Sequence, residues 1–325
     1  MLTEIVPAAT GELSSELRQL ADSARQYAEE ARSENTRKTY EQAWKLFTRW
    51  CEQHDLQALP ATPQTLVLYF SWLHGQRRAL GTLSVYRAAI ARAHRMACIE
   101  PLPTDHGVVK EVWEGIRRRT ARLGPVPRPR QELALPALKQ VLARIPDGIG
   151  GVRDRAMLAV GFFAALRPSE LAALQAENVR EREQGLELLI PVSKSDQGGR
   201  GQMVGCSRQA DPAICPMQLL RAWVALSGVK TGPLFRPIDR SGRVLERAIV
   251  RATVADILKR HARAAGLDET LLAGHSLRSG LATTASRSGK RIEAIQHQLR
   301  HKSLAVVHKY IRHESIWEGN ASEGL

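Results

Sequence analysis

The sequence predicts two domains: an all-α N-terminal domain and a mainly α, α+β C-terminal domain that contains a small β-sheet or hairpin. A length of 325 residues exceeds one typical domain and is comfortable for two. Apolar residues recur at helical spacing along most of the chain, and the alternation typical of strands is confined to residues 176–205. Three prolines, one glycine and three arginines within residues 121–131 exclude a helix or a central strand. This segment is therefore predicted to be a basic linker between the domains.

The N-terminal half consists of an acidic leader and four predicted helices. Residues 1–34 carry seven acidic and three basic side chains. Their apolar spacing favours one amphipathic helix, and a frayed segment is the alternative. Residues 35–120 form the predicted helical domain, because residues that cap or start helices precede each run of apolar residues at helical spacing. The four helices are predicted to begin near Asn35, Pro63, Gly81 and Thr104.

The C-terminal domain is predicted to span residues 132–325 and to combine helices with strands. The strand signal is Leu186–Val192, which is followed by a glycine-rich turn and a short return strand at Met203–Val204. Helices are predicted on both sides of this hairpin, at 135–146, 152–165, 216–227, 245–265 and 276–288, with short ones near 291–299 and 304–312.

The charge of the chain indicates the kind of partner. Forty-seven Lys and Arg against thirty-three Asp and Glu give a net charge of +14, and the pI is near 10.1. Residues 77–130 alone hold twelve basic and four acidic side chains. Such an excess predicts a polyanionic partner, most often nucleic acid. By itself it does not separate DNA from RNA or from an anionic membrane.

Several classes of protein are excluded. The longest apolar run, residues 156–166, is too short to span a bilayer, so no membrane partner is expected. The N-terminus lacks the basic and apolar regions of a secretory signal, and four cysteines without metal-ligand spacing predict free thiols in a reducing compartment. The sequence has no P-loop motif and no carboxylate cluster typical of a two-metal site, so neither a metal nor a cofactor is predicted.

Two candidate regions precede and follow the predicted hairpin strand. Arg167 ends an apolar helix just before a helix-starting proline, and Glu170 lies three residues further on, where it can pair with Arg167 or orient it. Lys194 follows the strand Leu186–Val192 and precedes the glycine-rich turn. Each charge also has a plain structural interpretation. Arg167 would then interact with a helix dipole, and Lys194 would be a solvated surface charge.

Two further candidate regions lie near the C-terminus. His275 and Arg278 are three residues apart, so they share a face at the start of a helix, where free N–H groups attract anions. His301 precedes a short predicted helix and Tyr310 lies within it, nine residues further on. The alternatives are a capping role for His275 and a packing role for Tyr310.

Taken together, the order Arg…Lys…His-x-x-Arg…His…Tyr resembles the tyrosine recombinase (phage integrase) family over nearly the whole chain. The segment from Gly274 to Arg278, the closing Tyr-Ile-Arg and the helical N-terminal half are most similar to Cre-type recombinases. Two features depart from the family pattern. Ser279 and Gly280 stand where many members have His-Ser, and Arg300 stands where a glycine is usual.

The resemblance implies a fold and a reaction. The fold is a core-binding (SAM-like) helical domain followed by a tyrosine-recombinase catalytic domain. The enzyme would cleave and rejoin DNA through a covalent 3′-phosphotyrosine and exchange strands through a Holliday junction, for integration, excision or resolution of a mobile element or plasmid. Seven catalytic residues carry over, the last as the nucleophile: Arg167, Glu170, Lys194, His275, Arg278, His301 and Tyr310.

The implied roles suit these residue types. Two guanidiniums and a histidine stabilise the charge that grows on a phosphodiester under attack. Lys194 supplies the proton of the leaving 5′-hydroxyl, His275 is the acid or base partner of Tyr310, and His301 donates to the phosphate.

The implied partners are double-stranded DNA with an inverted-repeat site and further copies of the chain. The protein is expected to be a monomer or weak dimer when free, a homotetramer on two sites, and to lie in the bacterial cytoplasm at the nucleoid. Ile316 and Trp317, in the tail after Tyr310, are the candidate interface between protomers. The candidate DNA-binding residues, for base or phosphate contacts, are Arg37, Lys38, Ser84, Arg87, Arg95, Arg128, Arg130, Arg243, Arg247 and Arg251. The spacing of the last three predicts that they line one face of a helix.

Three alternatives remain beside this interpretation. The first is a catalytically silent, sequence-specific DNA-binding regulator. The second is a type IB topoisomerase or a telomere-resolvase-like enzyme, for which the two-domain size fits less well. The third, a basic RNA-binding protein, lacks the sequence pattern of an RRM or KH domain.

Overall fold

The structure is a computed structural model that describes residues 14–30, 34–123, 131–191, 201–301, 303–305 and 307. The chain divides into two compact units between residues 127 and 128. Six residues singled out from the sequence lie outside the described residues: Arg128, Arg130, Lys194, Tyr310, Ile316 and Trp317.

The N-terminal unit contains only helices and turns within the residues described. The helix Pro63–Gly75 begins as the sequence predicts, with Pro63 in its first turn. The Thr62 hydroxyl caps this helix by accepting the Thr65 N–H at 3.1 Å. Thr104 does not start a long helix, because residues 103–105 form a short 3-10 turn first. The five helices are α1 (Ser15–Glu30), α2 (Glu34–Glu52), α3 (Pro63–Gly75), α4 (Leu80–Met96) and α5 (Gly107–Leu123).

Aromatic side chains form the centre of this unit. The Phe47 and Tyr69 rings lie 4.8 Å apart, and Phe70 meets Trp113 edge-on at 5.4 Å. Such rings bury large apolar areas, which explains how about ninety residues support a core of their own. One histidine, His94, is fully buried beside them. Its Nε2 accepts the Ala61 N–H at 2.9 Å, and its Nδ1 lies 2.9 Å from the Ile90 carbonyl oxygen.

The C-terminal unit surrounds a small antiparallel sheet with helices. The strands are β1 (Val179–Arg182), β2 (Gly185–Ile190) and β3 (Gln202–Ser207), in the order β1-β2-β3. Leu188 pairs with Val179 on one side and Val204 on the other, so the buried side chains of β2 face the core. The helices are α6 (Leu135–Ala143), α7 (Ile149–Phe163), α8 (Pro168–Ala173), α9 (Pro216–Ser227), α10 (Arg251–Ala264), α11 (Ser276–Arg287) and α12 (Ile292–Leu299).

Helix α7 is the centre of this unit. Residues 156–160 are apolar and fully buried, which is typical of a helix covered on every side. Helix α9 packs against it, and its Trp223 is held in place by donating its indole N–H to the Leu234 carbonyl at 2.8 Å. Helix α11 also packs against α7. The buried helix therefore fixes the positions of the elements that follow it in the chain.

The prediction of one helix over residues 245–265 is wrong at its start, because α10 begins only at Arg251. The preceding segment pairs instead with residues 235–239. Val244 bridges Ile238, and the Ile249 N–H donates to the Phe235 carbonyl at 3.2 Å. Arg243 and Arg247 therefore lie outside the helix that contains Arg251, and the three do not share one helical face.

Helices long and apolar enough to cross a bilayer are absent from the residues described.

Candidate active site

The turn between α7 and α8 positions the first arginine. Arg167 precedes the first residue of α8, and Glu170 stands at the third position of that helix. The Glu170 carboxylate accepts the Arg167 backbone N–H at 2.8 Å and the Arg167 Nη1–H at 2.5 Å. The Glu170 side chain is 3% exposed, whereas Arg167 keeps 17% of its side chain accessible. One buried carboxylate thus fixes both the backbone and the guanidinium of Arg167.

Helix α11 brings the second arginine to the same place. Arg278 lies in its first turn, is 1% exposed, and donates from Nη1 to the Ala165 carbonyl at 2.6 Å. Its Nη2 donates to the Leu299 carbonyl. Both carbonyls lie at helix C-termini, where acceptors lack intrahelical partners and the helix dipole favours a cation. The guanidinium is therefore oriented before any ligand arrives.

Two glycines allow this close approach. A Cβ on Gly280 would lie 2.0 Å from the Leu133 carbonyl oxygen, and a Cβ on Gly274 would lie 2.6 Å from Cγ of Pro168. Any side chain at either position would push α11 away from its neighbours. Gly280 is one of the departures from the family pattern, and the backbone at Leu133 occupies the space that a side chain would take.

Gly274 also places the backbone of His275 close to the turn that contains Arg167. His275 is exposed and precedes the first residue of α11. Its neighbour Gly274 packs against Pro168, which follows Arg167 in the chain. The exposed imidazole is therefore attached to a backbone that is fixed beside the α7–α8 turn.

Arg300 belongs to the cluster, which the sequence did not indicate. It ends α12 in the left-handed conformation, with φ of +53°, and its side chain is 5% exposed. Its Nη2 donates to Glu170 Oε2 at 2.5 Å. Longer contacts of 3.4 Å join its guanidinium to the carbonyls of Ala164 and Ala165. The one signal in the sequence was an arginine at a position where the family usually has glycine.

His301 follows directly and is half-buried. Burial lowers its pKa to about 4, and the positive charges of Arg278, Arg167 and Arg300 act in the same direction. Gln296 holds the backbone in place by donating to the His301 carbonyl at 3.0 Å. The imidazole is consequently neutral near pH 7 and able to donate one hydrogen bond.

A glutamine joins this cluster to the β-hairpin. Gln298 Nε2 donates to the Phe163 carbonyl at 3.1 Å and to the Gly205 carbonyl of β3 at 2.8 Å. The loop that joins β2 to β3 contains Lys194, which lies outside the described residues. The strand after that loop is therefore tied both to the end of α7 and to α12.

The structure thus brings together four of the seven predicted catalytic residues, Arg167, Glu170, Arg278 and His301, and adds Arg300. Three guanidiniums against one carboxylate leave a net positive charge in a partly enclosed site. Such a site suits a phosphate, which guanidiniums bind through oriented N–H groups. In the part of the chain that is described, no group of three or more His, Cys, Asp or Glu side chains could hold a metal ion.

The predicted DNA-binding residues of the N-terminal unit differ in how they are held. Arg37 and Lys38 are exposed on α2, where Lys38 pairs with Glu34 at 2.6 Å. Ser84 and Arg95 are exposed on α4. Arg87 is half-buried on the same helix and donates to the Thr104 carbonyl at 3.1 Å, with its guanidinium 5.3 Å from the centre of the Trp113 ring.

In the C-terminal unit the three candidates are exposed. Arg243 pairs with Asp239 at 3.3 Å. Arg247 precedes α10, and Arg251 is the first residue of that helix. Their contact with DNA stays a prediction.

Comparison with known proteins decides the family. The sequence model of the phage integrase family matches residues 133–315, which is more than half of the chain. The chain belongs to the phage integrase family. An integrase/recombinase XerD homolog of Selenomonas ruminantium is 34% identical over 92% of this chain and 87% of its own length. Tyrosine recombinase XerD of Pseudomonas putida is 27% identical over 87% of this chain and 88% of its own length.

Solved integrases share the fold of this phage integrase family member. The Tn1549 transposon integrase in complex with transposon right end DNA aligns with a TM-score of 0.63 and 12% identity, over 88% of this chain and 92% of that one. A lambda integrase dimer bound to a COC′ core site aligns with a TM-score of 0.60 and 15% identity, over 90% and 94% of the two chains. The predicted fold class is confirmed.

The predicted activity is confirmed at the level of enzyme class, a tyrosine-type site-specific DNA recombinase. The alternatives of a silent regulator or a topoisomerase are not favoured, because these relatives are recombinases. The named relatives are XerD proteins, so a particular likeness to Cre-type recombinases stays a prediction.

Proposed function

We propose that this recombinase breaks and rejoins duplex DNA at the site formed by Arg167, Arg278 and His301, with Tyr310 as the nucleophile. The observation that supports this most is the orientation of the two guanidiniums. Arg278 is fixed by two backbone carbonyls and Arg167 by the Glu170 carboxylate. Groups oriented beforehand stabilise a transition state more than groups that must reorganise.

The chemistry is a transesterification at phosphorus. The Tyr310 hydroxyl attacks the scissile phosphate, a bond from the phenolic oxygen to phosphorus forms, and the bond to the 5′-oxygen breaks. Extra negative charge appears on the non-bridging oxygens, where Arg167, Arg278 and the neutral His301 donate hydrogen bonds. The energy of the phosphodiester is kept in the 3′-phosphotyrosine, so the reverse attack by a 5′-hydroxyl rejoins the strand without ATP.

Two protons must move in this reaction. The leaving 5′-oxygen takes a proton from Lys194, and the attacking phenol gives one to His275. The exposed position of His275 at the start of α11 leaves its imidazole open to a reacting group. The Gln298 contacts with β3 support the role of Lys194, because they fix one end of its hairpin to α12.

The partner is double-stranded DNA with an inverted-repeat site. The relatives' structures include a XerH recombinase bound to a palindromic difH substrate and integrases bound to DNA. The net charge of +14 suits such a partner. Four protomers on two sites exchange strands through a Holliday junction, and the tail residues Ile316 and Trp317 bury against the next protomer. The working location is the nucleoid of a bacterial cell.

Covalent trapping tests this proposal. A target duplex is first selected from a pool in which random sequences form the two inverted repeats around a short spacer. A nick is then placed so that the cleaved fragment diffuses away. The wild-type protein is expected to form a covalent protein–DNA adduct, whereas Tyr310→Phe binds the duplex and forms none. Tyr40→Phe, in the N-terminal unit, is the matched control and should form the adduct at the wild-type rate. An adduct with Tyr310→Phe would contradict the assignment.

A further inference from the structure

Arg300 occupies an unusual backbone position for its residue type. Its φ of +53° lies in the left-handed region, which residues with a side chain rarely adopt and glycine adopts without strain. A residue kept in a costly conformation indicates that its side chain contributes something that glycine would not.

The Glu170 carboxylate is shared between two arginines. Oε1 accepts from Arg167 Nη1 at 2.5 Å, and Oε2 accepts from Arg300 Nη2 at 2.5 Å and from the Arg167 backbone N–H at 2.8 Å. Because Arg300 and the Arg167 backbone N–H both engage Oε2, the Arg167 guanidinium meets the carboxylate through Oε1. The Arg167 side chain keeps 17% of its surface accessible, so part of it stays open to a ligand.

Charge leads to the same conclusion. Arg167 and Glu170 alone form a pair with no net charge, which would stabilise a phosphate poorly. With Arg300 the three groups carry one net positive charge, and all three side chains are buried enough for that charge to act at short range. The Arg300 guanidinium is directed at Glu170 Oε2 and at the carbonyls of Ala164 and Ala165.

We propose that Arg300 is a positioning residue of the recombinase, which holds the Glu170 carboxylate so that Arg167 stays directed at the scissile phosphate and keeps its charge effective there. The inference rests on the proposed role of Arg167 and extends it to a residue that touches neither DNA nor the reacting atoms. It predicts that Arg300 affects the rate of strand cleavage through Arg167 and leaves DNA affinity nearly unchanged.

The test measures single-turnover adduct formation on the nicked duplex at saturating protein. Arg300→Gly removes the side chain and also relieves the backbone strain, and calorimetric unfolding checks that each variant is folded under the assay conditions. Both Arg300→Gly and Arg300→Met should cleave about 10-fold to 100-fold more slowly, the range typical of groups that orient a reacting residue. Arg300→Lys, which keeps the charge, should cleave faster than Arg300→Met. DNA affinity should change less than about twofold in all three, as expected for a group that holds a catalytic residue and does not touch the ligand.

Arg263→Met is the matched control. Arg263 pairs with Glu269 at 2.7 Å in the same unit but is 71% exposed. Loss of this surface pair should leave the cleavage rate unchanged.

A second arm asks whether Arg300 acts through Arg167. In an Arg167→Lys background, the further change Arg300→Gly should slow cleavage far less than it does in the wild type, because coupled residues are not additive. Equal slowing in both backgrounds, a wild-type rate for Arg300→Gly, or equal rates for the Lys and Met variants would overturn the inference. If Arg167→Lys itself cleaves at the wild-type rate, the proposed role of Arg167 fails instead.

Discussion

The buried arginines of the candidate active site are held differently from the exposed arginines of the N-terminal unit. In the C-terminal unit, Arg278 and Arg300 are almost fully buried, and the hydrogen bonds from their guanidiniums end on backbone carbonyls and on Glu170. In the N-terminal unit, Arg95 is exposed on α4 and Arg37 is exposed on α2. A buried guanidinium with fixed acceptors has one orientation, while an exposed one adapts to whatever approaches it. The difference matches the tasks proposed for the two units, chemistry at one phosphate and contact along a duplex.

The same contrast applies to two histidines, one in each unit. His94 in the N-terminal unit and His301 in the C-terminal unit both have lowered pKa values, for which burial is the largest cause. Around His301 three guanidiniums add to the effect, whereas the two ring nitrogens of His94 form hydrogen bonds with the backbone of Ala61 and Ile90. A neutral imidazole thus suits packing in the N-terminal unit and, in the C-terminal unit, the hydrogen bond to phosphate that we propose for His301.

The largest change in cleavage rate is expected for a substitution of the buried Arg278. Arg278→Lys keeps a positive charge but loses the planar fork that reaches the Ala165 and Leu299 carbonyls. We expect adduct formation to fall about 100-fold to 1,000-fold, the loss typical of one oriented donor. DNA affinity should fall less than about threefold, since uniform binding survives. Arg287→Lys, exposed in the last turn of α11, is the matched control. Similar losses in both variants would show that burial does not matter.

Packing gives the next largest effect. Gly280→Ala places a Cβ against the Leu133 carbonyl oxygen and should destabilise the C-terminal unit by about 2–4 kcal/mol. Gly115→Ala is the opposite case, because Gly115 is exposed inside α5 with no atom within 4 Å of the added Cβ. It should stabilise the N-terminal unit by about 0.5–1 kcal/mol. Calorimetric unfolding measures both changes, and a stable Gly280→Ala variant would contradict the close approach of α11.

The buried His94 should make the stability of the N-terminal unit depend on pH. His94 accepts the Ala61 N–H only when its Nε2 is unprotonated, and its pKa is lowered in the folded state. The unfolded chain therefore binds the proton more readily, and the N-terminal unit should lose stability as the pH falls below about 6.5. His94→Gln should reduce this pH slope, measured by unfolding between pH 7.5 and 5.5, whereas His74→Gln should leave it intact. An unchanged slope in His94→Gln would assign the pH dependence to other groups.

The smallest effects are expected on α4. Arg95→Ala should weaken DNA binding about threefold to tenfold and reduce the salt slope by about one, as for one phosphate contact. Arg87→Ala should instead lower stability, because Arg87 supports the Thr104 carbonyl and the Trp113 ring. Filter binding at several salt concentrations separates the two. A larger loss of affinity from Arg87→Ala than from Arg95→Ala would reverse their roles.

Much of the fold followed from local signals. Pro63 after Thr62 marked the start of α3, and the alternation of β2 marked the central strand, because these features act within a few residues. The start of α10 did not follow. Arg243, Arg247 and Arg251 have helical spacing, but pairing of Val244 with Ile238 keeps the first part extended. Tertiary pairing overrides a local pattern in such cases.

In the candidate site, too, some residues could be predicted from the sequence and others depend on tertiary contacts. Arg167, Glu170, Arg278 and His301 were predicted because their order along the chain resembles a family motif. Arg300 was noticed only as a departure, since its contact with Glu170 joins residues 130 positions apart. No local pattern encodes the left-handed turn that directs its side chain inward. The reason for glycine at position 280 likewise appears only when the Leu133 backbone is in place.

The central claim is that the buried guanidiniums stabilise negative charge on the non-bridging phosphate oxygens. It is tested most directly by comparing Arg278→Ala with the wild type on two nicked duplexes, one with the ordinary phosphodiester and one with a neutral methylphosphonate at the scissile position. The account predicts that Arg278→Ala slows adduct formation about 100-fold or more on the phosphodiester and less than about tenfold on the methylphosphonate, where little charge needs an arginine. An equal loss on both duplexes would contradict it.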